Sequence, residues 1–155
     1  MISRSQSRSI ALFAVAVVFF SSLPAHASLG GDPSSVQTDA QQLKSSVRVT
    51  QSANYTVHEM QVQGATVREY IAGGKVFGIT WEGQARPDLQ QLLGPYYARV
   101  TQAVEQYKAQ HPGRHPISIQ QPDLVVQMGG HQRAFSGRAY IPNMVPSSVR
   151  AEEIR

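Results

Sequence analysis

The sequence predicts an α+β domain with a mostly antiparallel sheet, and three observations carry that expectation. Over residues 55–81 apolar and polar residues alternate with period two, interrupted at Gln63-Gly64 and Gly73-Gly74, as in a three-stranded meander with two-residue turns. A second alternating pair, residues 124–128 and 133–141, flanks Gly129-Gly130-His131-Gln132 and reads as a C-terminal hairpin with a two- or four-residue loop. Between them Leu89, Leu92, Leu93, Tyr96, Val100, Val104 and Tyr107 recur at helical spacing. A long helix over about 87–109, kinked at Gly94-Pro95, is therefore expected to pack on the sheet.

The elements follow in chain order. Arg4 and Arg8 supply a positive n-region, Ile10 to Phe20 an uncharged apolar stretch, and Ala25-His26-Ala27 a small-x-small cleavage site. That is a cleavable signal peptide over residues 1–27, with the mature chain starting at Ser28. The eleven-residue apolar run is too short to span a bilayer, which takes ~20 helical residues. Removal of the signal leaves 128 of the 155 residues, enough for one domain over 28–146 followed by a polar tail over 147–155. Asp32 as N-cap and Pro33 at the first helical position open a short helix over about 33–46, with Val36, Ala40 and Leu43 on its apolar face. Val47 and Val49 begin a strand, ended by the turn-prone Ser52-Ala53-Asn54. The meander strands are expected at 55–62, 66–72 and 75–81, and Pro87-Asp88 starts the long helix. His111-Pro112-Gly113 ends it, and Pro142 and Pro146 stop the last strand.

Composition excludes several function classes. There is no cysteine, hence no thiol nucleophile, thiolate metal site or lipidated cysteine. The net charge of +4 rests on 14 basic and 10 acidic residues, but Arg4 and Arg8 leave with the signal. The remaining basic residues are scattered singly, without the stripe that tracks a phosphate backbone, so nucleic acid is not an expected partner. His111 and His115 stand four apart, but Pro112, Gly113 and Pro116 prevent the helix that would align them on a metal. Ser136-Gly137 lacks the G-x-S-x-G elbow, and the Gly-Gly pairs lie between strands, not ahead of a helix. No metal, cofactor or catalytic residue is assigned.

Two-residue turns also fix a register, with position i facing 127 − i in the first hairpin and 147 − i in the second. One face then carries Tyr55, Val57, Tyr70, Phe77, Ile79 and Trp81, with Glu59 opposite Arg68. The other carries Met60, Val62, Val67, Ile71 and Val76 together with His58 and Glu69. Both faces are too apolar for a sheet wet on one side, so something should pack on each. In this register His58, Glu69 and Gly78 form one row, a titratable pair beside a missing side chain. A cross-strand salt bridge, with Gly78 easing twist, explains the same row without function. A second group, His131, Arg133, Arg138 and Tyr140, surrounds the C-terminal hairpin and suits a carboxylate or phosphate ligand. Charge protecting an edge strand is the ordinary explanation there.

The ordered motifs resemble a known family. Leu29-Gly30-Gly31-Asp32, Tyr55-Thr56-Val57-His58-Glu59, Val67-Arg68-Glu69-Tyr70, Lys75-Val76-Phe77 and Pro87-Asp88-Leu89-Gln90-Gln91-Leu92-Leu93-Gly94 come first. Gly129-Gly130-His131, Arg133-Ala134-Phe135, Gly137-Arg138-Ala139-Tyr140-Ile141-Pro142 and Glu153-Ile154-Arg155 follow. Together they resemble a family of exported proteobacterial proteins, the domain of unknown function 2844. The resemblance spans the mature chain and departs at Gln132, where an apolar residue such as Met is expected. It implies export in a Gram-negative bacterium and carries over no activity, cofactor or site residue. The resulting expectation is a small exported, non-enzymatic binding or assembly protein of the bacterial envelope, periplasmic or secreted. Its partner would be another envelope or secreted protein, with no transmembrane segment left after cleavage. The alternative is a periplasmic hydrolase or isomerase using His58 and Glu69 as an acid–base pair.

Overall fold

The fold comes from a computed structural model, described for residues 28–33, 47–62 and 64–155. The signal segment and almost all of the expected 33–46 helix lie outside the described residues. Among the described residues seven strands are seen: β1 (Arg48–Gln51), β2 (Thr56–Val62), β3 (Ala65–Ala72), β4 (Lys75–Gly83), β5 (Ile117–Gln121), β6 (Leu124–His131) and β7 (Ala134–Tyr140). They form one sheet in the order β1-β2-β3-β4-β7-β6-β5, and every neighbouring pair is antiparallel. The chain thus makes one meander from the β1 edge to β4, crosses by the helical segment, and returns from the β5 edge to dock β7 on β4.

The α+β class and the antiparallel sheet agree with the sequence expectation, and the arrangement is simpler than a meander plus a separate hairpin. β5 is an addition. It is a short strand between Pro116 and Pro122, and its alternating Ile117-Ser118-Ile119-Gln120 was the available signal. With β5 and β6 beyond it, β7 is interior, so edge protection does not account for Arg138.

The helical segment comprises α1 (Leu89–Leu93), a 3₁₀ turn (Gly94–Tyr96) and α2 (Tyr97–Gln110). Asp88 caps α1, its Oδ1 accepting from the Gln91 N–H at 3.1 Å. Gly94 takes φ 51° where the axis breaks before Pro95, and a Cβ there would lie 2.6 Å from Ser28 Oγ. Leu92, Leu93 and Val100 bury against Trp81, Ile119, Val126 and Ala139, forming the larger core on what we call the inner face. Leu29 is fully buried in the same core. Its N–H donates to the Leu92 carbonyl at 2.9 Å, while Gly30 and Gly31 exchange hydrogen bonds with Val76 at 2.8 and 3.1 Å.

The outer face carries a second, smaller core of Tyr70, Phe77 and Ile154, joined by Tyr55, Val57 and Tyr140. Its cover is the C-terminal segment, which is docked on the sheet instead of forming a free polar tail. Ile154 is fully buried and Val149 is 7% exposed. On the 3₁₀ turn Ala151–Glu153, the Glu153 carboxylate accepts from the Arg150 N–H at 3.0 Å and the Glu153 N–H donates to the Arg150 carbonyl at 2.9 Å.

Register decides which residues meet. In β2–β3 the pairing follows the expected 127 − i throughout, so Glu59 faces Arg68 and the two join at 2.7 Å. In β3–β4 it follows 147 − i only next to the turn, where Ile71 faces Val76. Beyond a bulge the register shifts by one, and Tyr70 faces Gly78 instead of Phe77. Phe77 and Gly78 together oppose Tyr70, and the residues after them change face. Ile79 and Trp81 consequently sit in the inner core, not with the tyrosines. The ring of Phe77 still packs on Tyr70, with centroids 6.1 Å apart.

Candidate functional site

The two faces are read most clearly as two adjacent rows running across all seven strands. The inner row is Val49, His58, Glu69, Ile79, Ala139, Val126 and Ile119. His58 and Glu69 are direct cross-strand neighbours, as expected, but Gly78 is not in their row. The bulge puts Ile79 opposite Glu69 and turns Gly78 to the outer face. There is no vacancy above Gly78 either. A Cβ there would lie 3.2 Å from Ile154 Cγ2 and 3.4 Å from Tyr140 Cβ, so the glycine admits the C-terminal segment.

The chemistry of the His58–Glu69 pair is that of a sealed site. Glu69 is 2% exposed, and burial pushes its carboxyl up to about 8. Burial also lowers the His58 imidazole from its ordinary value. Both groups are therefore held neutral near pH 7, and no ion pair joins them among the described residues. Nδ1 of His58 and Oε2 of Glu69 are buried without a hydrogen-bond partner. Neither residue lines either of the two cavities on the outer face. The expected cross-strand salt bridge is replaced by two unpartnered polar atoms.

The outer row is Arg48, Glu59, Arg68, Thr80, Arg138, Gln127 and Ser118. Arg68 is gripped by Glu59 on one side and by Glu82 at 2.9 Å on the other. Arg138 Nε donates to Gln127 Oε1 at 2.7 Å, and Nη1 donates to the carbonyls of Ala151 at 2.7 Å and Ile154 at 3.2 Å. Tyr70 donates its O–H to the Arg155 carbonyl at 2.5 Å. These bonds fix the C-terminal segment between two open cavities on the outer face. The first, of about 530 Å³, is floored by Thr80, Ser118, Gln127, Ser136 and Arg138. The second, of about 580 Å³, lies towards β1 and is lined by Arg48, Tyr55, Glu59, Arg150 and Glu152 among others.

The hairpin group separates. His131 ends β6, and Arg133 occupies the turn at φ 67°, the only non-glycine with positive φ among the described residues. Both are exposed. Arg138 and Tyr140 lie further along β7, with the guanidinium 5.8 Å from the Tyr140 ring centre. Five residues of extended chain separate Arg133 from Arg138 by ~17 Å, so the four do not form one site. His111 stacks on Tyr107, ring centres 4.2 Å apart, in an exposed position. No group of three or more His, Asp or Glu residues able to hold a metal occurs among the described residues.

Across residues 25–154 the chain matches the family model described as protein of unknown function, DUF2844. The chain is a member of DUF2844. No curated protein matches it. Among solved structures, this DUF2844 chain is similar to a cysteine-rich secretory protein from Staphylococcus aureus subsp. aureus Mu50, at 11% identity and a TM-score of 0.43. The likeness covers 76% of the DUF2844 chain and 46% of that protein, and it carries no argument about function.

Reading the sequence missed Thr80, Gln127 and Ser136 as residues lining the first outer-face cavity. Two signals were present: Gly78 inside a strand, which also marks a bulge, and the alternation that makes β5 a strand. Together they place Thr80 between Arg68 and Arg138 on an open face.

Proposed function

We propose that this DUF2844 member is a small exported, non-enzymatic binding or assembly protein of the bacterial envelope, working through the outer face of its sheet. One contrast supports this reading: the acid–base pair is sealed while the outer cavities are open. Glu69 at 2% exposure reaches neither cavity, and an acid–base catalyst must come within hydrogen-bond reach of its substrate. Export rests on the signal pattern of residues 1–27. Cleavage after Ala27 would leave Leu29 and Gly30 to make the hydrogen bonds that seat them beside Leu92 and Val76. The partner expected is another envelope or secreted protein.

The test places a photo-crosslinking residue at Ser118 or Gln120, exposed on the outer side of β5, and at Gln106 on the exposed side of α2 as control. In cells, the outer-face positions should give one discrete crosslinked species that Gln106 does not. The exported protein should begin at Ser28 by intact mass. Crosslinking without preference for the outer face would overturn the reading, as would retention of Met1 to Ala27.

A further inference from the structure

We propose that the outer-face cavity beside β7 binds a small oxyanion, a carboxylate or phosphate group, on Arg138. This deepens the binding reading and rests on it. Four observations converge. Arg138 sits mid-sheet on an interior strand, half-buried on the outer face, so its charge serves no edge-protecting role. Its Nε and Nη1 are held by a side-chain amide and two backbone carbonyls, all neutral, and among the described residues it has no carboxylate partner. Its neighbour in the row, Arg68, is by contrast paired with two carboxylates, so the outer face neutralises one arginine and leaves the other.

The fourth observation is Thr80. It stands between the two arginines in register, is 4% exposed, lines the cavity, and keeps Oγ1 without a hydrogen-bond partner. An unpaired buried hydroxyl beside an unneutralised guanidinium is the donor set an oxyanion requires. Ser118 and Ser136 add hydroxyls on the open side, and about 530 Å³ accommodates a small ligand. Glu82 also lines the cavity, with its charge committed to Arg68. Arg155 adds positive charge at the rim. The Arg138 anchors hold the guanidinium in place before the ligand arrives, leaving Nη2 to bind it.

Amide NMR titration of the mature protein with inorganic phosphate and, separately, with acetate tests this and distinguishes the two oxyanion classes. At least one should give saturable shifts at Thr80, Ser118, Ser136 and Arg138. Arg138→Gln should weaken that binding at least tenfold. Because Arg138 also anchors the C-terminal segment, Ser136→Asp provides a second variant. It places a carboxylate at an exposed position two residues from Arg138, and should block the anion while the amide spectrum stays folded. Arg114→Gln, in an exposed loop, should change nothing. Absence of saturable shifts with both anions, or binding unchanged in folded Ser136→Asp, would overturn the oxyanion site. An outer-face crosslink that persists in that case would leave the broader binding reading standing, so the two failures are distinguishable.

Discussion

The two rows that cross the sheet side by side place charge in opposite circumstances. In the outer row Glu59, Arg68 and Arg138 are partly in water, and each has partners at hydrogen-bond distance. In the inner row Glu69 has been taken out of water with no partner for Oε2, and it stays in the fold by remaining protonated. The difference shows where to look for work in this molecule. A perturbed carboxyl is a common mark of an active site, yet here the perturbation comes from burial alone and the group lines neither outer-face cavity. The group with unspent capacity is Arg138, one row away and half-buried beside an open cavity.

The largest effect expected tests how the inner face is packed. The Trp81 indole lies on Gly137, and a Cβ there would come within 2.3 Å of Trp81 Cζ2 and 2.9 Å of the Gln127 carbonyl. Gly137→Ala should therefore cost about 3 kcal/mol or more through overpacking, seen as a fall of about 10 °C in Tm. An unchanged Tm would mean that Trp81 is not seated there.

Glu69 gives the next effect, and its sign is fixed. The folded carboxyl titrates near 8 and the unfolded one near 4.5, so between these values the folded state holds a proton that the unfolded state has lost. Wild-type stability falls through that window, by at most about 3 kcal/mol at pH 7. Glu69→Gln removes the titration. In urea unfolding, the gain of the variant over wild type should be near its minimum at pH 4.5, grow as pH rises and level off above pH 8. His58, whose pKa burial lowers, penalises folding only as pH drops below its ordinary 6.5, so it does not confound the range from 6.5 to 8. A gap independent of pH would mean that Glu69 is ionised and paired in solution.

The smallest effect belongs to the outer row. Arg68 and Glu59 are 27% and 30% exposed, and a double-mutant cycle between them should give a coupling of about 0.5 kcal/mol that shrinks in high salt. A coupling of several kcal/mol would place the pair in a drier setting than the outer face provides.

The same two rows explain what could be read from the sequence. The β2–β3 turn left no freedom once its two residues were recognised, so the Glu59–Arg68 and His58–Glu69 pairings followed from alternation alone. The kinked helix was legible from its leucine spacing and Gly94-Pro95. The β3–β4 register was not, because a bulge is a tertiary compromise. It turns Ile79 and Trp81 to the helix and frees Gly78 to receive Ile154, a residue 76 positions away that local patterning cannot see. The tail looked polar because Val149, Ala151 and Ile154 are its only apolar residues, yet Val149 and Ile154 are both buried. Arg138 was identified as a ligand group, but its neutral anchors and its place on an interior strand depend on the docked tail and on β5.

The most direct measurement of whether the outer face is the working surface compares Glu69→Gln with Ser136→Asp in the photo-crosslinking experiment at Ser118. Both variants should fold. Glu69→Gln should retain the crosslinked species at wild-type yield, and Ser136→Asp should lose it. Loss in Glu69→Gln with retention in Ser136→Asp would move the function to the buried pair and contradict the outer-face assignment.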